Sequence, residues 1–358
     1  MSAVGDVVYS FAEEQDFQQV LNICSSDDFD GLDYMAVTFH RWLKEPGRLI
    51  FLARMNNKVV LNICSEDDYS GLDYMAAAFH RWLKEPGRLV FLARLNNRVV
   101  ALESTLLVDG GQTVVFQGRR VVPDLRGSGI AGAIQKHVTD YIRRHYPEVC
   151  ASRLSRGDRP SPQTLAKYRL IAKEAILSLC CEATDLGPFI NEMKSKLSSQ
   201  ADSSQAPVIL NQQQAETLVL SNHVVSNLLP GKTIINDWEP LKPVEANLEV
   251  LRRRGLTWIV DHEFEPSAIS LCTPPYPVPY RHDALRININ IFGCSLASIC
   301  AVFLAQLEAL LPKLHGYLIF YTYVDPGVWP GLRQFCQNNA KVSFFKDYWE
   351  ELVLETDL

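Results

Sequence analysis

Apolar residues recur along this chain at two spacings, every second position and every third or fourth, and the switches between them mark out its elements. Val7–Phe11 alternates loosely and predicts a first strand, and Asp16–Ile23 predicts a short amphipathic helix. Val99–Val108 and Thr113–Val122 are rich in β-branched residues and flank Asp109-Gly110-Gly111, which predicts a hairpin. Apolar positions at Ile130, Ala133, Ile134, Val138 and Ile142 predict a helix over Ile130–His145. Val149–Leu154 predicts a strand, Ser161–Ala172 a helix and Ala175–Cys181 another strand.

The later pattern predicts strand Thr233–Trp238, helix Val244–Arg254, and strands Thr257–Val260, Ala268–Cys272 and Leu285–Phe292. Helix Leu296–Leu311, strand Tyr317–Val324, helix Gly331–Asn339, and strands Val342–Phe345 and Tyr348–Glu355 complete it. Hairpins and crossovers are mixed throughout, so the expected class is α/β (α+β) with a mixed sheet. Lys194–Glu216 is rich in Ser, Gln and Ala and reads as a linker. It divides the chain into expected domains of residues 1–193 and 217–358, in keeping with a length beyond one ordinary domain.

One pattern occurs twice. Leu21–Val60 and Leu61–Val100 align without a gap over 40 residues and differ at eight positions. Each copy predicts a helix (Gly31–Lys44 or Gly71–Lys84), a Pro-Gly stop, a strand (Arg48–Arg54 or Arg88–Arg94) and an Asn-Asn turn. Two copies are too few for a solenoid. The expectation is a duplicated segment inside a domain that needs it once. Copy two, joined by a short turn to Val99–Val108, should fill the one strand position available.

Composition narrows the classes. The net charge of −6 gives no electrostatic reason to expect nucleic acid or an anionic membrane as partner. Nine cysteines without a C-x-x-C spacing predict reduced thiols, no metal site and a cytoplasmic protein. The first residues show no secretory pattern, and Ile299–Leu311 is short and broken by Gln306 and Glu308. Oligomeric state is not readable.

The chemistry concentrates in Thr113–Gln135. A strand runs to Pro123, a loop with Gly127 and Gly129 follows, and a helix opens at Ile130. Glycines let backbone approach a phosphate, and a helix start offers unpaired N–H groups and a positive dipole end. No Lys-Ser/Thr follows, as a P-loop requires. Gly127-Ser128-Gly129-Ile130-Ala131-Gly132 fits the G-x-G-x-x-G string, but the expected acidic partner does not close the next strand. Arg126, Gly129 and Ala131 resemble the Arg/Gln-x-x-Gly-x-Gly/Ala motif of the GNAT superfamily of N-acetyltransferases, preceded by Val121-Val122-Pro123-Asp124-Leu125.

That resemblance implies acetyl-CoA as co-substrate. Arg126, Gly127, Ser128, Gly129, Ile130, Ala131 and Gly132 would hold the pyrophosphate, and the backbone of Arg119, Arg120 and Val121 would pair with pantetheine. Strand N–H groups would stabilise the oxyanion of a tetrahedral intermediate. Lys167-Tyr168-Arg169-Leu170-Ile171 resembles the superfamily's tyrosine-bearing helix, although Glu174-Ala175 replaces its Gly-Phe. Tyr168 would protonate the departing thiolate. The acceptor amine must lose a proton. Thr113–Pro123 has no carboxylate, so Glu103 on the preceding strand is the candidate base, acting directly or through water.

Gly71-Leu-Asp-Tyr74, F-H-R-W-L at 79–83, A-L-E-S at 101–104 and G-K-T-I-I-N-D-W at 231–238 resemble the histidine N-acetyltransferase family. The resemblance implies a small-molecule acceptor, L-histidine, acetylated on its α-amine. Arg120, Arg153 and Arg156 are candidates for its carboxylate, and Asp73 and Tyr74 for its imidazole. The second half resembles a degenerate acetyltransferase domain, with Ile291–Leu296 where a phosphate loop would stand and no cofactor expected there. Two alternatives stay open: an acetyltransferase for protein N-termini or lysines, and a non-catalytic interaction protein disabled by the duplication.

Overall fold

The computed structural model describes residues 10–11, 51–52, 74–95, 98–157, 160–199, 206–278, 280–281, 283–337 and 339–358. The described residues up to Leu107, with Phe116–Cys150 and Leu358, form one compact unit; Val108–Val115 and Ala151–Asp357 form another. The predicted helices Asp16–Ile23 and Gly31–Lys44 lie outside the described residues.

In the first unit, β1 (Ser10–Phe11) pairs antiparallel with β2 (Phe51–Leu52), the strand of copy one. Copy two supplies α1 (Met75–Trp82) and β3 (Arg88–Leu95). β3 pairs antiparallel with β4 (Arg98–Val108), Leu95 standing opposite Arg98, while β1 pairs with the strand of copy one, so among the described residues copy two does not hold the position between both neighbours. A hairpin closes over few residues, so the loop-closure cost of the β3–β4 pairing is small. Next comes β5 (Thr113–Val121), and then α2 (Ile130–His145) with Ile134, Val138 and Ile142 fully buried on one face.

The second unit is a mixed sheet with helices. Its elements begin with β6 (Ala151–Arg156), α3 (Pro162–Leu165), β7 (Arg169–Glu182), α4 (Ala183–Ser198), β8 (Val208–Leu210), α5 (Gln212–Val219) and α6 (Asn222–Asn227). They continue with β9 (Ile234–Asn236), β10 (Glu239–Leu241), α7 (Leu248–Arg253), β11 (Thr257–Val260), β12 (Ala268–Cys272) and β13 (Tyr276–Pro277). The last are β14 (Ala284–Gly293), α8 (Leu296–Leu310), β15 (Tyr317–Val324), α9 (Trp329–Cys336) and β16 (Ser343–Asp357). The strand order is β6-β16-β7-β15-β14-β12-β11-β8, with β13 on β14. β14 and β15 are parallel, joined through α8. β16 is antiparallel to both β6 and β7 and lies between them.

The core packs α8 against one sheet face. Ile299, Val302, Phe303 and Leu307 meet Ile287, Ile289 and Ile291 of β14, Leu318 and Phe320 of β15, and Leu177 and Leu179 of β7. With its following turn to Lys313, α8 is long and apolar enough to cross a membrane. Here those apolar residues are the core of the unit.

Several expectations change. Ser161–Ala172 is not one helix: only Pro162–Leu165 is helical, and Arg169 already begins β7. The cause is remote, since Arg169, Leu170 and Ala172 pair with Glu355, Leu354 and Val353 of β16. The two strands predicted over 342–355 are one bulged strand. Thr233–Trp238 is a hairpin arm and its turn, with Asp237 and Trp238 at positive φ. The stretch 194–216 carries the end of α4, β8 and the start of α5.

Candidate active site

The turn between β5 and α2 is built from its glycines. Gly127 and Gly129 have φ of +78° and +88°, a region that costs a side-chain-bearing residue dearly. A Cβ at Gly127, Gly129 or Gly132 would meet only open space within 4 Å, so none of the described residues fills the cradle. Arg126 Nε donates to the Val121 carbonyl at 3.1 Å, and Ser128 Oγ donates to the Leu125 carbonyl at 2.6 Å. The first bond holds the turn to the end of β5 and the second closes the turn on itself, leaving its outer side exposed. Gly129 is the N-cap of α2 and supplies no side-chain acceptor; the first turn carries no acidic residue. The N–H groups of Ile130, Ala131 and Gly132 therefore lack intrahelical acceptors and face an uncancelled positive dipole end. A phosphate-bearing group fits this site.

The corresponding strand–turn–helix of the second unit is closed. β14 ends at Gly293, where a Cβ would fall 2.4 Å from the Ser267 carbonyl oxygen. Ser295 Oγ accepts from the Ser298 N–H, so α8 is capped by its own side chain.

Upstream of the turn, Arg119 reaches α2, its Nη1 donating to Gln135 Oε1 at 2.7 Å. Its Nε lies 3.8 Å from Glu103 Oε1. Glu103 sits on β4 opposite Phe91 of β3 and is 1% exposed. Its Oε2 has no hydrogen-bond partner among the described residues. Burial pushes its carboxyl up to about 7, and Arg119 offsets only part of that rise. A carboxyl poised there is charged often enough to take a proton and basic enough to keep it.

Arg120 is buried, and its guanidinium lies over the Tyr74 ring at 5.5 Å. Tyr74 also meets Trp82 edge-on at 6.0 Å. Trp82 in turn lies under Arg88, which donates to Ser104 Oγ and Gln117 Oε1. Two of the residues expected near an acceptor, Arg120 and Tyr74, are thus brought together in the first unit. Asp73 lies outside the described residues.

The other expected residues belong to the second unit. Arg153, 4% exposed, donates from Nε to Glu355 Oε2 at 2.7 Å and stands 3.7 Å from Asp109 Oδ2. Arg156 ends β6 opposite Leu352 and is half-buried. Tyr168 is not on a helix; it occupies the turn before β7, half-buried, its N–H donating to the Leu165 carbonyl at 3.0 Å. Sequence reading passed over Glu174 and Glu351, which stand opposite each other on β7 and β16 and are fully buried.

The mixed sheet, the open glycine turn and the uncapped helix fit the fold of an N-acetyltransferase. Relatives narrow the class. The family described as "Histidine N-acetyltransferase, C-terminal" matches residues 203–325. The chain is 36% identical over 356 residues to the histidine N-acetyltransferase of Scomber australasicus, spanning 98% of this chain and 93% of that protein. The histidine N-acetyltransferase of Xenopus tropicalis is 35% identical over 355 residues, 99% of this chain and 96% of its own. This chain belongs to the histidine N-acetyltransferase family. Among solved structures it is similar to Saccharomyces cerevisiae N-myristoyltransferase with bound myristoyl-CoA, at 11% identity and a TM-score of 0.49, covering 82% and 76% of the two chains.

Proposed function

We propose that the protein transfers the acetyl group of acetyl-CoA to the α-amine of free L-histidine. One observation carries the reading: an open cradle of Gly127, Gly129 and Gly132 at an uncapped helix start, with the buried Glu103 tied through Arg119 to the strand that leads into it. The family membership supports the acceptor, because the named relatives are histidine N-acetyltransferases.

In this reading the N–H groups of Gly127 to Gly132 bind the pyrophosphate, and the backbone of Arg119, Arg120 and Val121 orients the pantetheine arm. Acetyl-CoA supplies the activated acyl carbon when bound. Glu103 takes the proton of the attacking ammonium, directly or through water, which its carboxyl near neutrality suits it to do. Tyr168 gives its hydroxyl proton to the departing thiolate. Arg120 and Tyr74 are proposed acceptor contacts. A cytoplasmic location is part of the proposal, in keeping with the unbridged thiols at Cys180, Cys181, Cys272, Cys294, Cys300 and Cys336.

The test is purified protein with acetyl-CoA and a panel of free amino acids and short peptides, followed by thiol release and by mass of the product. Nα-acetylhistidine as the dominant product is expected. Turnover of peptide amines with none of histidine would replace this reading with a protein acetyltransferase.

A further inference from the structure

One residue of β5 breaks the regularity of the strand. Gly118 stands inside Thr113–Val121 with φ of +72°. A regular strand sends successive side chains to opposite faces, so Gln117 and Arg119 should share one face and Arg120 should take the other. The contacts follow a different order. Gln117 Oε1 accepts from Arg88 Nη1 at 3.1 Å, and Arg88 lies over the Trp82 ring of α1. Arg120 is on the α1 side as well, over Tyr74 at the N-cap of that helix. Arg119, between the two in sequence, points the other way, to Gln135 of α2 and to Glu103. The alternation has slipped by one residue at Gly118, as it does at a glycine bulge.

The cause sits against Gly118 itself. A Cβ there would fall 2.5 Å from Trp82 Cη2, 2.7 Å from Trp82 Cζ3 and 3.0 Å from the Met75 methyl. The far edge of the indole occupies the place where a strand side chain would stand, leaving room for backbone alone. Trp82 is itself held fast. It is 0% exposed, with the Arg88 guanidinium 4.7 Å over its ring and Tyr74 edge-on to it. Arg88 is fixed in turn, its Nε donating to Glu85 Oε2 at 2.5 Å and its Nη1 to Ser104 Oγ at 3.0 Å. All of these residues belong to the first unit.

We infer that Trp82 is a positioning residue: its indole wedges β5 at Gly118 and so turns Arg119 to the face where Glu103 is buried. The inference rests on the reading of Glu103 as the base. Without the wedge, β5 would return to plain alternation and Arg119 would join Gln117 on the α1 side. Glu103 would keep its burial and lose its cation. Among the described residues, the other titratable groups on that face come from α2. They are His137 and Tyr141, which meet Phe91, the cross-strand neighbour of Glu103. On β3 the residues alternating with Phe91 are Leu89 and Ala93, which carry no charge. Burial and then Arg144 hold His137 below its ordinary value, so it is largely neutral where Glu103 titrates and does not replace Arg119.

The experiment reads the Glu103 carboxyl directly, by ¹³C NMR titration of the full chain labelled at glutamate Cδ, with Glu103→Gln to assign the signal. Neither acetyl-CoA nor an acceptor is present. Arg119→Met should raise the midpoint, because Arg119 favours the charged form. Trp82→Phe, whose ring ends short of Gly118, should raise it by the same interval, and the double variant should go no higher. Trp82→Tyr, whose hydroxyl restores the reach, should keep the wild-type midpoint, and it decides the matter if the Phe variant does not fold. A Trp82 that merely packs would lower thermal melting on truncation and leave the midpoint in place. A wild-type midpoint in Arg119→Met or Trp82→Phe, a raised one in Trp82→Tyr, or shifts that add in the double variant overturns the inference. Full turnover by Glu103→Gln would remove the base and leave the wedge standing. Unmoved midpoints, with the pH–rate limb lost in Glu103→Gln, would do the reverse.

Discussion

Glu103→Gln separates the two consequences of burying a carboxyl on β4. The substitution keeps shape and polarity but removes the titration. A carboxyl raised from 4.5 to about 7 binds more protons folded than unfolded. Stability therefore falls as pH rises from about 4.5 to about 7, and the ionised form costs about 3 kcal/mol above that range, at about 1.4 kcal/mol per tenfold change in proton affinity. Arg119 is already counted in that value and does not cancel it. The Gln variant has no such cost, so denaturant unfolding should find it more stable than wild type at pH 8, by up to about 3 kcal/mol, and equal to it at pH 4.5. Activity should move the other way. The wild-type pH profile of kcat/KM should rise through an apparent pKa near 7. The variant should lose that limb and about 10²- to 10⁴-fold in rate. Paired urea titrations and pH–rate profiles are the assay. A variant that keeps the limb near pH 7, or gains no stability at pH 8, refutes the assignment of Glu103 as a buried base.

Gly132 has ordinary φ and open space around its Cβ, so Gly132→Asp should leave melting unchanged or slightly raised at the helix start, yet weaken coenzyme A binding by at least about 100-fold by calorimetry. Tyr168→Phe should lower kcat with acetyl-CoA affinity unchanged, because only thiolate departure loses its proton; a change confined to affinity would make the ring a packing group. Deleting Leu21–Val60 joins Val20 to Leu61 and leaves Phe91–Leu92 as the counterpart of Phe51–Leu52 for β1. That variant should be more soluble, melt higher and turn over at least as fast; failure to fold would make copy one an integral part of the domain.

Much of the first unit was legible because its signals are local. The helix Ile130–His145 is set by apolar spacing and by the glycines before it, and its ends agree with the pattern. The strands around Asp109-Gly110-Gly111 follow from the turn chemistry. What escaped depends on partners far away in sequence. Lys167–Lys173 has ordinary helix formers, but β16 recruits Arg169 onward into a strand. Arg153 reads as a free cation until Glu355 comes beside it. The alternation Arg286-Ile-Asn-Ile-Asn-Ile reads as a half-exposed strand, and nothing local says that its polar side is covered. The presence of charged or amide residues at the inward side of three strands was the available signal, and it becomes visible only once their register is known.

The position of β16 between β6 and β7 sets the order in which this chain becomes itself. Arg153 and the Glu355 that holds it are 202 residues apart. Closing so wide a span adds little to the equilibrium cost, since loop entropy grows only logarithmically with length. Its effect is on time. At about 5–20 residues per second, β6 leaves the ribosome about ten to forty seconds before its neighbour exists. Through that interval the facing edges of β6 and β7 offer unpaired N–H and C=O groups to any strand at hand. Assembly of the second unit therefore waits for β16 in its last step. A chaperone that shields strand edges should raise the yield of active protein more than one that binds helices.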